Sequence, residues 1–157
     1  MHRIISAVFL VVCSTQSCTV AKLNNLPKSA NQIDFNKCPV EKEVNNGKRR
    51  TSKTVNEYCI LKTKIFSEEN ILKATEKALK KQGFVILRFD DTEKIVFAQR
   101  DLRANEWQSF AGIYYRIDQN TSTTKIYIQI RITQDITGGR IENRAEKIGL
   151  IIEKELI

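Results

Sequence analysis

Residues 125–134 (KIYIQIRITQ) alternate without a break: Ile126, Ile128, Ile130 and Ile132 point one way, and Tyr127, Gln129, Arg131 and Thr133 the other. A period of two held over this length belongs to a β-strand. One apolar and one polar face place that strand in an antiparallel sheet with one side buried. The rest of the chain has to supply its neighbours and a cover for the isoleucine face.

The neighbours are legible. Residues 84–90 (FVILRFD) and 94–100 (KIVFAQR) read as two strands joined by Asp91-Thr92-Glu93. Residues 109–118 place Ile113, Tyr115 and Ile117 on one face and Tyr114 and Arg116 on the other, with 119–124 (QNTSTT) as the hairpin loop. An earlier strand is expected over 58–66 (YCILKTKIF), with Cys59, Leu61, Thr63 and Ile65 on one face.

Two helices supply the cover. Ser67 is a good N-cap, Glu68 and Glu69 suit the first turn, and Phe66 and Ile71 are spaced as a hydrophobic staple. Ile71, Thr75, Ala78, Leu79 and Gln82 keep the helical period up to Gly83, the expected stop. After Gly138-Gly139, a second stripe runs through Ile141, Ala145, Ile148, Ile152 and Leu156. Gly149 inside it marks a close approach to the sheet. Both helices on one face of the sheet is the economical solution. The expectation is an α+β domain over 57–157, an antiparallel four- to five-stranded sheet with two helices on one face, in the order β-α-β-β-β-β-α.

The N-terminus says where such a domain works. Met1 to Arg3 is a short basic start, residues 4–12 (IISAVFLVV) are apolar, and small and polar residues follow, the layout of an export signal. As a helix the run would rise about 14 Å, too little for a hydrocarbon core of about 30 Å. Three processing outcomes compete: acylation at Cys18 after a signal of 1–17, acylation at Cys13, or cleavage after Ala21. Cys18 follows the small Ser17, and its use leaves Cys38 and Cys59 as an even pair; use of Cys13 leaves an odd thiol in an oxidising compartment. Residues 18–56 hold both prolines and scattered apolar residues without a period, and read as a tether. A disulfide between Cys38 and Cys59 would close a loop worth about 3 kcal/mol in the chain-entropy account.

The side chains argue against most chemistry. The single histidine, His2, lies in the signal, so imidazole catalysis and the usual zinc sites are not expected, and no metal or other cofactor is. Asp90 and Asp91 fall at a strand end and turn, where aspartate is common for conformational reasons. Trp107 precedes the third strand of the sheet region as a lid on the core or a contact residue. With 26 Lys and Arg against 18 Asp and Glu, the net charge of +8 favours anionic partners. Tyr114, Arg116, Tyr127, Gln129 and Arg131, on the polar face, form a possible partner surface of the composition favoured at protein–protein contacts. Export argues against nucleic acid there.

The run from Ile60 to Phe66, then Ile71-Leu72 and Ala74, then residues 78–86 (ALKKQGFVI) and Ile95 to Arg100 resembles a pattern in small bacterial envelope lipoproteins of unknown function. The helix-sheet-helix order is also similar to the helix-grip domains of the BamC lipoprotein. The resemblance covers roughly residues 58–157 and implies the fold; it carries no functional residues. Together these readings lead to a lipid-anchored lipoprotein at the outer membrane, facing the periplasm. It would be a non-enzymatic binding or assembly module whose partners are the membrane, through its anchor, and envelope proteins. The alternative is a soluble periplasmic or secreted ligand-binding protein.

Overall fold

The computed structural model describes residues 25–37, 55–101, 108–132 and 143–157. Two short 3-10 turns, Ala30–Gln32 and Phe35–Lys37, precede β1 (Val55–Lys62), α1 (Glu68–Lys81), β2 (Val85–Asp90), β3 (Ile95–Arg100), β4 (Ser109–Asp118), β5 (Thr123–Ile132) and α2 (Arg144–Glu155). The strands form one antiparallel sheet in the order β1-β5-β4-β3-β2, so the fold is α+β, with β4 at the centre and β1 and β2 at the edges.

Local chemistry sets the boundaries. β1 stops at Lys62, short of the 58–66 expected. The Thr124 hydroxyl donates to the Lys64 carbonyl (3.0 Å) and accepts from the Phe66 amide (3.2 Å), turning the chain so that Phe66 enters the core. The Ser67 side chain then caps α1 by accepting from the Asn70 amide, and Gly83 leaves the helix at φ 75°, a conformation that suits glycine. Asn143 caps α2 by accepting from the Glu146 amide at 3.1 Å. Ile141, the expected start of that stripe, lies outside the described residues.

The inner core is the one the alternation demands. Ile60, Val96, Ala98, Ala111, Ile113, Tyr115, Ile126, Ile128 and Ile130 face Ile71, Ala74, Ala78 and Leu79 of α1, and Ala145, Ile148 and Ile152 of α2. In β1 the side toward the helices carries Tyr58 and Ile60, so Cys59 and Leu61 take the outer side, with Cys59 registered opposite Tyr127. Gly149 gives α2 its close approach: a Cβ there would fall within the Tyr58 ring.

The outer face differs from the expectation. Residues 25–37 fall within the expected tether, yet they form a strap across this face. Leu26, Ala30, Ile33 and Phe35 are buried against Ile95, Phe97, Phe110 and Tyr114, with Tyr127 packed at the margin. The Ala30 amide donates to the Glu93 carbonyl at 2.9 Å, fastening the strap to the β2–β3 turn. The cause is visible in β3, where Ile95, Val96, Phe97 and Ala98 are all buried: a strand apolar on both sides needs a cover on both.

Candidate functional site

The five residues expected to form a partner surface do sit on the outer face, and the strap divides them. Tyr114 is fully buried; its ring lies over Gly112, where a Cβ would meet the phenolic oxygen at 2.5 Å, and its hydroxyl donates to the Pro27 carbonyl at 2.8 Å. Arg116 is exposed, its guanidinium 4.8 Å from the centre of the Phe35 ring, which gives the strap a cation–π contact. Tyr127 is half-buried, 6.1 Å from Tyr114 ring to ring. Gln129 is 7% exposed and donates its amide to Glu57 at 2.8 Å. Arg131 is half-buried. Burial, and next the Glu57 carboxylate, push the Tyr127 phenol well above its ordinary value; burial does the same for Tyr114. Tyr114 and Arg116 therefore hold the strap to the sheet, with Tyr127 at its margin, while Gln129 ties β5 to β1; of the five, Arg116 is the one fully exposed.

The exposed apolar surface lies elsewhere. Along the edge strand β2, Val85 (64% exposed), Ile86, Leu87 and Phe89 all face solvent, and the pairing to β3 shifts between Ile86 and Arg88. Among the described residues, no strand pairs with the other side of β2.

Asp90 ends that strand in a structural role. Its carboxylate accepts from Arg88 and from the Glu93 amide, and these bonds, the Arg88 one first, hold it below the usual carboxylate range. An acid kept ionised in this way, closing a turn, is a poor proton donor. Asp91 beside it is exposed.

A cleft of about 290 Å³ lies where the strap, the start of α1 and the ends of β3 and β4 meet. Lys94, at φ 53°, reaches across to both Glu68 oxygens at 2.7 and 2.8 Å. The Tyr115 hydroxyl donates to the same carboxylate at 3.4 Å, and the Lys94 ammonium sits 5.9 Å from the Tyr115 ring centre. Glu68 is thus engaged by two donors from its own chain. The cleft is open and of mixed character, with Asn31, Arg116 and Gln119 in its lining beside Ala30 and Ile117.

Cys59 is disulfide-bonded. Cys38, its expected partner, lies outside the described residues, as do Cys13, Cys18, Ala21, Trp107 and Gly138-Gly139. Among the described residues, no group of three or more His, Cys, Asp or Glu is placed to hold a metal ion, and no helix is long and apolar enough to cross a membrane. No protein-family model matches the chain, and no curated protein matches it significantly.

Proposed function

We propose that the chain is an exported envelope lipoprotein, anchored through acyl chains on Cys18, whose α+β domain is a non-enzymatic binding or assembly module. The observation that carries the binding role is the exposed apolar edge of β2, which among the described residues pairs only with β3. Edge strands usually carry charge or a cover, because their free N–H and C=O groups recruit other strands. Here four large apolar side chains line such an edge within five residues. The partner that fits is an extended segment of an envelope protein, added as a sixth strand, with its backbone supplying hydrogen bonds and its side chains meeting Val85, Leu87 and Phe89.

Three features support the rest of the reading. The signal-like N-terminus and the disulfide at Cys59 suit an oxidising compartment. No aspartate follows Cys18 to favour retention at an inner membrane. The best carboxylates, Glu68 and Asp90, are engaged by their own chain.

Photo-cross-linking from Leu87 in intact cells is expected to trap a discrete envelope protein, and the same cross-linker at Glu76 on α1 none. With the cross-linker kept at position 87, Val85→Lys with Phe89→Lys should abolish that capture while leaving the unfolding midpoint nearly unchanged; capture that survives both lysines would sink the edge as the binding surface. The cleft beside Glu68 favours a second reading, a soluble ligand-binding protein cut after Ala21. A mature N-terminus at Lys22 would select it.

A further inference from the structure

We infer that the strapped outer face of the sheet rests against the phospholipid bilayer and that the helix layer looks away from it. The inference rests on acylation at Cys18 as proposed above.

The argument is one of reach. Were residues 18–56 a free tether, the domain could wander about 130 Å from its anchor, at roughly 3.4 Å per residue. The strap removes that freedom. Leu26 is buried and the Pro27 carbonyl is held by Tyr114, a residue of the central strand. Only eight residue steps separate Cys18 from Leu26, a reach of about 27 Å for a fully stretched chain.

The point of attachment fixes which side faces the lipid. The chain meets the domain over β4, on the outer face. To bring the helices to the bilayer, the anchor segment would have to pass around a sheet edge. That path crosses two strand spacings, about 10 Å, and then the depth of the sheet and helix layers, about 20 Å. The sum, about 30 Å before edge side chains are allowed for, exceeds the reach. The outer face needs no such detour. It also presents Lys28 and Arg116, both exposed, to the headgroups.

The test uses the full acylated chain in vesicles of phosphatidylcholine and phosphatidylglycerol that carry a photoreactive group on a fraction of the headgroups. Labelled peptides are mapped by mass spectrometry, and the acyl mass on Cys18 is read from the same sample. A several-fold excess of label on peptides holding Lys28, Asn31 and Arg116, over those holding Lys73, Glu76 and Leu150, is expected. A linker of about twenty Gly and Ser residues inserted before Asn25 should erase the contrast, because it restores the reach. An acylated chain labelled equally on both layers, or more on the helices, overturns the orientation and leaves the lipoprotein reading standing. A chain without acyl groups on Cys18 overturns both.

Discussion

Gly149 lets α2 close on β1, since a methyl group there would enter the Tyr58 ring. Alanine favours a helix by about 1 kcal/mol over glycine, yet overpacking a filled site costs about 1–3 kcal/mol. Gly149→Ala is therefore expected to destabilise the domain, measured by chemical denaturation, and the penalty should vanish in a Tyr58→Ala background, where the substitution becomes a plain helix improvement. This role was legible in the sequence, because a glycine weakens the helix that holds it, and inside a regular apolar stripe a close neighbour is what makes up the loss. The role of Tyr114 was not. Alternation assigns a side chain to a face but says nothing of what lies over that face. A tyrosine among arginines looks the same whether it greets a partner or the chain's own Pro27. Gly112 was a faint clue: it leaves room on the outer face for a ring to lie flat.

Among the elements, the strap is the one that sequence reasoning missed. Helices and strands announce themselves by period; two 3-10 turns of three residues each have none to show. Leu26, Ile33 and Phe35 stand among Asn, Lys and Ser and look like noise. The signal lay instead in β3, whose four consecutive buried residues are apolar on both sides and so call for a second cover. The strap should also be separable from the helix layer. Phe35→Ala removes a buried ring that packs on the outer face and meets Arg116, at a cost of about 3 kcal/mol. Hydrogen exchange is expected to show the Ala30 amide, now bonded to Glu93, losing protection, while the amides of α1 keep theirs. Equal loss in both would mean that the two covers act as one cooperative unit.

At the level of the whole molecule, β3 and β4 are covered on both faces, and the tyrosines of the sheet record the burial. All four tyrosines of the chain, Tyr58, Tyr114, Tyr115 and Tyr127, have their phenols pushed above the ordinary value of about 10, burial being the first cause in each. The folded state then holds phenolic protons that the unfolded chain has already released. Stability is fully present below about pH 10 and falls as the pH rises beyond it toward the folded values. In a spectrophotometric titration, phenolate absorbance should stay low past pH 10 and then rise together with the loss of tertiary structure. A gradual rise centred near 10 in the native protein would contradict the burial described. The α+β class and the helix layer were readable from period and caps. The enclosure was not, because it pairs residues 26–35 with residues 95–114, across a separation that no local pattern spans. That separation also has a consequence in time. The strap leaves the ribosome before any of the strands it covers has been made, so its apolar side chains wait for β3 and β4. The first of the described segments to be synthesised thus waits through the making of β1, α1, β2 and β3, and until β4 is complete it is open to whatever holds nascent chains unfolded.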